Sequence, residues 1–192
     1  MAFCFTKLEI PEIIYIESDI HSDRRGCFSE MYKYPEFQKN GIDKTFIQMN
    51  QSKSLKGVLR GLHYQKNPMA QGKMVSVVDG EIFNAVVDIR KGSTTYGKWI
   101  GVTLNDEKKQ MMYIPEGFAH GFCVLSETAQ VIYYCTEIYA SQYVCGILWS
   151  DPELSISWPI KNPILSDQDA ELPLLNRADN NFDFKQLLRC DM

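Results

Sequence analysis

The strongest constraint on the fold is a pair of apolar runs, Met74–Val78 and Glu81–Ile89, joined by Asp79-Gly80. An Asp-Gly step between alternating apolar runs favours a type I′ β-hairpin. Strand periodicity divides the second run into an apolar face and a mixed face. The apolar face contains Phe83, Ala85, Val87 and Ile89, and the mixed face contains Ile82, Asn84, Val86 and Asp88. The chain is therefore expected to be built around β-sheet.

Further strand patterns follow one another with turn residues between them, at a spacing of about 8 to 12 residues that is typical of an all-β sandwich or barrel. They are Phe46–Asn50, Val58–Leu62, Lys98–Leu104, Met111–Ile114, Gly121–Leu125 and Val131–Thr136. The polar stretch SKSLKG predicts a turn between the first two of these strands, and NDEKK predicts a turn within a further strand pair, Lys98–Leu104 with Met111–Ile114. Residues 3–16, interrupted by Pro11, predict an edge strand, and YPEFQKNG at 34–41 predicts the main helix.

Length and composition favour one globular domain over residues 1–192. From about residue 150 the chain contains four prolines, which predicts an irregular covering segment, with a last short helix at Phe184–Arg189. The formal charge of −4 gives no general attraction to nucleic acid or to anionic membranes, and no apolar run is long enough to span a bilayer. Six cysteines without a CxxC pair favour reduced thiols in the cytoplasm.

Three residues that could perform chemistry, Arg60, His63 and Lys73, lie close together in sequence. Lys and Arg are seldom fully buried unless they are paired, so this cluster predicts an anionic ligand site with a proton-transfer group at its centre. Of the other two histidines, His21 lies near a turn and is expected on the surface. His120 follows PEGFA and suits either a hydrogen-bonded core position or a site position. A double-stranded barrel with a P-x-G-x-x-H motif suggests a cupin, and most cupins bind a metal through an HxH pair. That pair is absent here, which disfavours a metal.

Several ordered motifs resemble those of the dTDP-4-dehydrorhamnose 3,5-epimerase family. They are RGLHYQ, AQGKMVSVVDGEIFNAVVDIR, IPEGFAHGF, YYCT, WSDP, ISWP and ILSDQD, and the resemblance extends from about residue 5 to 175. It implies an all-β, double-stranded β-helix of the jelly-roll, cupin-like type with few short helices. It also implies a homodimer that needs no metal or other cofactor and acts on a nucleotide-linked 4-keto-6-deoxy sugar, most often dTDP-linked, in surface-polysaccharide synthesis.

The resemblance also implies site residues. His63 matches the family's general base, Asp169 the carboxylate that orients it, Tyr133 the acid on the opposite face of the sugar, and Lys73 the group facing the C4 oxygen. The positions that match the nucleotide-sugar site are Arg25, Glu30, Gln48, Asn50, Arg60 and His120. Tyr139 resembles an aromatic residue that helps to hold the nucleobase. The chain departs from the family's usual residues at Cys27, Val144 and Gln168, all on the binding side.

The chemistry explains these residue types. C3 and C5 both flank the C4 ketone, so loss of either proton gives an enolate whose charge a fixed cation stabilises. A histidine has an ordinary pKa near working pH, and a carboxylate fixes its tautomer. Two other hypotheses remain open at this point: a monofunctional 3- or 5-epimerase on this or another nucleotide-linked 4-keto sugar, and a non-catalytic or metal-dependent cupin that binds sugar nucleotides.

Overall fold

Two antiparallel β-sheets face each other in the computed structural model, which describes residues 3–184. In chain order the strands are β1 (Phe3–Lys7), β2 (Ile14–Ser18), β3 (His21–Asp23), β4 (Gly26–Phe28), β5 (Gln48–Leu55), β6 (Leu59–Gln65), β7 (Lys73–Asp79), β8 (Glu81–Asp88), β9 (Trp99–Asn105), β10 (Gln110–Ile114), β11 (Phe118–Val124), β12 (Thr128–Cys135) and β13 (Val144–Gly146). One sheet has the order β1-β2-β10-β7-β12-β5 and the other β13-β6-β11-β8-β9, while β3 and β4 form a separate hairpin. The all-β prediction is confirmed.

The hairpin predicted at Asp79-Gly80 is wrong. Strand β7 pairs with β10 and β12, whereas β8 pairs with β9 and β11 in the other sheet. Gly80 has φ +83°, and a Cβ there would lie 2.1 Å from the Thr128 carbonyl oxygen, so the turn needs glycine to carry the chain between sheets. Strands β7 and β8 are both apolar enough to lie inside a sheet with a neighbouring strand on each side. Those neighbouring strands are distant in sequence.

The strand pair predicted around NDEKK is wrong for the same reason, and the two strands predicted around SKSLKG also belong to different sheets. Strand β5 continues through most of SKSLKG to Leu55 and pairs with β12, while β6 pairs with β11 and β13. Similarly, β9 pairs with β8, and β10 pairs with β2 and β7. Consecutive strands from β5 to β8, and again from β9 to β13, belong alternately to the two sheets. This alternation is the jelly-roll arrangement, in which a turn between strands is a crossover and not a hairpin.

Local signals near the N-terminus predict the structure well. Strand β1 is the edge of the six-stranded sheet, and Pro11 lies in the turn before β2. Helix α1 (Tyr34–Lys39) begins with a proline in its first turn, and Gly41 follows it with φ +89°.

Both faces of β8 are buried. Ile82 and Val86 pack between the sheets, whereas Ala85 and Val87 pack outward against the C-terminal part of the chain, including Leu175. Within the described residues, this C-terminal part contains the short helix α2 (Asp167–Ala170) and a 3₁₀ turn at Leu175–Arg177. The mixed face of β8, with Asn84, is the one that faces the space between the sheets.

The helix predicted at 184–189 lies almost wholly outside the described residues. The single domain over residues 1–192 stays a prediction. Among residues 3–184, no helix is both long enough and apolar enough to cross a bilayer.

Candidate active site

A cavity of about 490 Å³ opens between the two sheets. The five-stranded sheet contributes His63 and His120, the six-stranded sheet contributes Lys73 and Tyr133, and Asp169 enters from α2. A smaller cavity of about 150 Å³ adjoins it and shares His63, Lys73 and Tyr133 in its lining. The four residues predicted to be catalytic are therefore brought to one place, although they come from four separate elements.

A β-bulge in β6 brings Arg60 and His63 to the same cavity. In a regular strand, residues three apart point to opposite faces. Here the pairing with β11 shifts from His120 opposite His63 to Phe122 opposite Arg60, so β6 carries one extra residue. Gly61, with φ +109°, lies at this shift, and a Cβ there would be 2.6 Å from the His120 carbonyl oxygen. The glycine therefore permits the close approach that turns both side chains into the cavity.

His63 and Asp169 form a hydrogen-bonded pair, with 2.6 Å between Nε2 and Oδ1. An ionised carboxylate only accepts, so His63 Nε2 donates and Nδ1 is left to take a proton. Asp169 also accepts from the Gly61 amide at 3.3 Å, and its own amide donates to Ser166, which caps α2. Burial alone would raise the pKa of Asp169, but the hydrogen bonds from His63 and Gly61 hold it below its ordinary value.

Lys73 begins β7 and lies opposite Cys135 of β12. Its ammonium has no carboxylate oxygen within 4 Å among residues 3–184. Burial lowers the pKa of Lys73 from its ordinary value. A partly buried cation without a carboxylate partner in the described chain can stabilise negative charge on a bound molecule.

His120 is buried and bonds through Nε2 to Asn84 Oδ1 at 2.9 Å. Asn84 Nδ2 faces the Val102 carbonyl at 3.5 Å, so the amide oxygen faces His120, whose Nε2 donates. Burial, and then the nearby Lys73 and His63, lower the pKa of His120 well below its ordinary value. The histidine is therefore neutral at neutral pH. Sequence reasoning missed Asn84, although a polar residue on the inward face of an apolar strand was a usable signal.

The residues predicted to bind the nucleotide sugar divide into two groups. Arg60 and His120 line the larger cavity, and Asn50 and Tyr139 line the smaller one. Arg60 donates from Nε to Ser54 at 3.0 Å, which leaves its terminal amino groups without a protein partner among the described residues. Two of the positions that depart from the family also lie in the site, Gln168 at the larger cavity and Val144 at the smaller.

Three further predicted residues lie outside both linings. Gln48 is next to the smaller cavity, where it donates to Asn50 and accepts from the Tyr139 amide. Arg25 is on the exposed β3–β4 hairpin and is paired with Asp23, and Glu30 follows that hairpin. The structure of one chain therefore does not bring Arg25 or Glu30 to the cavity. Their role in binding stays a prediction.

No group of three His, Cys, Asp or Glu side chains within residues 3–184 is placed to hold a metal ion. Whether the reaction is independent of metal stays a prediction for experiment. What the described site offers is an oriented base, a cation and a phenol around one cavity. Together with the jelly-roll fold, this arrangement defines a cupin-like protein with an acid–base site.

Comparison with known proteins identifies the family. The chain belongs to the dTDP-4-dehydrorhamnose 3,5-epimerase family, whose model matches residues 7–177, and hence to the isomerase class of enzymes. The dTDP-4-dehydrorhamnose 3,5-epimerase of Shigella flexneri is 51% identical over 164 residues, which cover 85% of this chain and 91% of the relative.

Solved structures agree. A Legionella pneumophila dTDP-6-deoxy-D-glucose-3,5-epimerase, RmlC, in complex with dTDP-4-keto-L-rhamnose, is 45% identical with a TM-score of 0.89, covering 92% of this chain and 94% of the other. ChmJ, a 3′-monoepimerase from Streptomyces bikiniensis in complex with dTDP-quinovose, is 34% identical with a TM-score of 0.83, covering 88% and 86%. The cupin-like jelly-roll prediction is confirmed, and so is the prediction of a nucleotide-sugar epimerase.

Proposed function

We propose that this chain inverts C3 and C5 of dTDP-4-keto-6-deoxyglucose, on the route to dTDP-L-rhamnose, with His63 as base and Tyr133 as acid. The observation that carries these roles is the placement of the two groups in opposite sheets, with the cavity between them. Inversion requires a proton to leave from one face of a carbon and another to arrive at the opposite face. A base and an acid on opposite walls meet that requirement.

The two carbons can share one set of groups. His63 Nδ1 takes the proton from C3 or C5, and the electron pair of the broken C–H bond moves into an enolate at the C4 oxygen. Lys73 stabilises that oxygen in both cases, because both carbons flank the same ketone. Tyr133 then donates its phenolic proton to the other face of the carbon, and solvent restores the protonation states of His63 and Tyr133. No redox cofactor enters this scheme.

The free amino groups of Arg60 suit the diphosphate. A guanidinium presents several donors in a planar fork and makes charge-assisted hydrogen bonds to phosphate oxygens. Asn50 and Tyr139, at the adjoining cavity, would contact the remainder of the ligand. The ligand dTDP-4-keto-L-rhamnose of the Legionella relative supports a dTDP-linked substrate for this chain.

A homodimer is also part of the proposal. Arg25 and Glu30 lie outside the cavity of their own chain, so a second copy is the simplest way to bring them to a site. The β3–β4 hairpin exposes 61% of Phe28, and the edge strand β5 exposes Met49 and Leu55, which gives such a copy apolar surface to cover. The protein would act in the cytoplasm, where the five free thiols among the described residues stay reduced.

Complementation tests the dimer. Arg25→Ala and His63→Asn should each be nearly inactive alone, and a mixture refolded together should regain activity, because one site of the mixed dimer would have both native residues. If the refolded mixture stays inactive although sedimentation shows that mixed dimers form, Arg25 acts in its own chain or not at all.

Deuterium incorporation tests the reaction. Wild-type protein incubated with dTDP-4-keto-6-deoxyglucose in D₂O should incorporate deuterium at C3 and C5 with inverted configuration, read by NMR. Tyr133→Phe should exchange hydrogen from the His63 side but return mostly the starting configuration. A Tyr133→Phe protein that inverts as often as it exchanges would remove Tyr133 from the mechanism.

The same experiment decides between this function and a second candidate. The similarity to the 3′-monoepimerase ChmJ shows that closely related folds accommodate single inversion. Deuterium at C3 alone would assign a monofunctional 3-epimerase. Activity lost on addition of a chelator and regained with a divalent metal would favour a metal-dependent cupin.

A further inference from the structure

Residues 137–140, between β12 and β13, are held by glutamine side chains and not by strand pairing. Gln71 Nε2 donates to the Glu137 carbonyl at 2.6 Å, and Gln48 Oε1 accepts from the Tyr139 amide at 2.7 Å. Gln65 Nε2 donates to the Ile138 carbonyl at 3.0 Å, and Gln65 Oε1 accepts from the Ala140 amide at 2.8 Å. Four backbone groups of this four-residue segment thus bond to side-chain amides.

Gln65 has the central place in this arrangement. It is only 3% exposed, and its Nε2 also donates to the Met69 carbonyl at 2.6 Å. It lies two residues after His63 in β6, so both side chains point to the same face of the strand. One buried amide therefore joins the strand that carries the base to the segment that carries Tyr139. Both Gln65 and His63 line the smaller cavity.

The side chain of Tyr139 contrasts with its backbone. The residue is 62% exposed and lies at the rim of the smaller cavity, whereas its amide is bonded to Gln48 and its neighbours are bonded to Gln65 and Gln71. An exposed aromatic side chain on a fixed backbone can present its ring to a flat ligand with little loss of conformational entropy on binding. A freely moving segment would lose more.

We propose that Gln48, Gln65 and Gln71 are positioning residues that pre-organise Tyr139 to pack against the nucleobase of the substrate. This inference rests on the proposed function, in which Tyr139 helps to hold the base. It adds that the glutamines affect binding through the position of Tyr139. It also gives Gln48 a different role from the direct binding predicted from the sequence.

A double-mutant cycle on dTDP affinity, measured by calorimetry, tests the proposal. Tyr139→Ala should weaken dTDP binding by about 5- to 140-fold, the range for loss of one base–aromatic stack. Gln65→Leu should weaken it by part of that factor in the wild-type background and by no further factor in the Tyr139→Ala background. Equal weakening by Gln65→Leu in both backgrounds, or no weakening in either, would overturn the proposal.

Two readouts separate positioning from general damage. Gln65→Leu should raise KM with kcat nearly unchanged, because His63 is untouched, and it should remove hydrogen-exchange protection at the Ala140 amide. Gln71→Leu removes the donor to the Glu137 carbonyl and should weaken dTDP binding in the wild-type background but by no further factor in the Tyr139→Ala background. This second cycle serves if Gln65→Leu fails to fold. Equal weakening by Gln71→Leu in both backgrounds, or no weakening in either, would count against the proposal.

The matched control is Gln51→Leu. Gln51 lies on the same strand as Gln48 but bonds to Gln130 on the exposed side, so dTDP affinity should not change. Failure of the inference is distinct from failure of the proposed function. An additive cycle in a protein that incorporates deuterium at C3 and C5 overturns only the positioning role, as does a Tyr139→Ala variant with normal affinity. A wild-type protein that neither binds dTDP nor exchanges hydrogen overturns both.

Discussion

Two basic side chains inside the protein, Arg90 and Lys73, have opposite electrostatic surroundings. Arg90 is 5% exposed and donates to both oxygens of the fully buried Asp88 and to Glu12. Its guanidinium also lies 4.4 Å from the centre of the Phe118 ring. Lys73 has no carboxylate within 4 Å in the described part of the chain, and its surroundings are the site cavities.

The difference shows how buried charge is divided between folding and function. The Arg90 region satisfies its charges internally, since Ser93 and Thr95 also donate to Asp88 at 2.7 and 2.6 Å. Breaking a satisfied buried pair leaves an uncompensated charge, which is costly. The Lys73 region leaves a cation unsatisfied, and its interactions become favourable only when a ligand brings negative charge. The first arrangement supports the fold, and the second suits the catalytic role proposed for Lys73.

The largest expected effect is on the rate of His63→Asn. Loss of the general base should lower kcat by about 10²- to 10⁴-fold, while the free energy of unfolding in urea should fall by less than on breaking the Arg90 pair, because the His63 side chain is 32% exposed and water can take its place beside Asp169. Deuterium exchange by NMR and urea unfolding measure the two quantities. A large loss of stability would mean that the site also supports the fold, which would contradict the contrast drawn between the site and the Arg90 region.

Arg90→Met should show the opposite pattern. Removing one partner of a buried ion pair costs about 3–5 kcal/mol. The free energy of unfolding measured in urea should fall by about this amount. The folded fraction should keep the wild-type kcat, because Arg90 does not line either cavity of the site. If kcat per folded molecule falls as far as it does in His63→Asn, the two regions are coupled.

Lys73→Met is the matched variant for Arg90→Met, since both exchange an internal basic residue for the same apolar one. It should slow exchange and inversion together by about 10²- to 10³-fold, the effect of deleting one oxyanion-stabilising donor. The free energy of unfolding should stay equal or rise, because a desolvated ammonium without a counter-charge is removed. Destabilisation similar to that of Arg90→Met would reveal a structural partner for Lys73.

The smallest effect concerns pH. Burial lowers the pKa of His120 well below 6.5, so below pH 6.5 the unfolded chain binds more protons than the native one and stability should fall as pH decreases. The pKa of Asp88 lies below its ordinary 3.8, since its hydrogen bonds outweigh the cost of burial, and its contribution should be lost only at pH values under about 3.8. The free energy of unfolding, measured in urea from pH 7 to pH 3, should therefore decline in two stages. His120→Gln should remove the first stage alone; a variant that retains it would assign it to another group.

The strands were predictable from the sequence and their partners were not. Alternation of apolar residues marks a strand because successive side chains face opposite sides, which is a local property. Pairing depends on which apolar faces can be buried together, and this is settled by residues far apart in the chain. Asp79-Gly80 illustrates the limit: it correctly marks a turn between β7 and β8, but the turn connects two sheets.

The site shows the same limit. The types of the residues predicted to be catalytic and their motif order pointed to enolate chemistry, because each side chain has the same chemical groups wherever it lies in the sequence. Arg60 and His63 face one cavity only because the bulge at Gly61 adds a residue to β6. The roles of Asn84 and Gln65 depend on hydrogen bonds to His120 and to the Ala140 amide, which lie 36 and 75 residues away in sequence.

The sequence by itself thus determined the all-β class, the positions of most strands and turns, and the chemical groups available for catalysis, since all of these follow from local periodicity and side-chain chemistry. The tertiary structure alone decided which strands pair, which face of β8 meets the cavity, and which charges are left unsatisfied. Arg90 and Lys73 are both basic residues next to apolar runs and cannot be told apart in the sequence. Only in the folded chain do carboxylates lie next to Arg90 and, among the described residues, not next to Lys73. The difference matters because burial and neighbouring groups set the free energy of a charge.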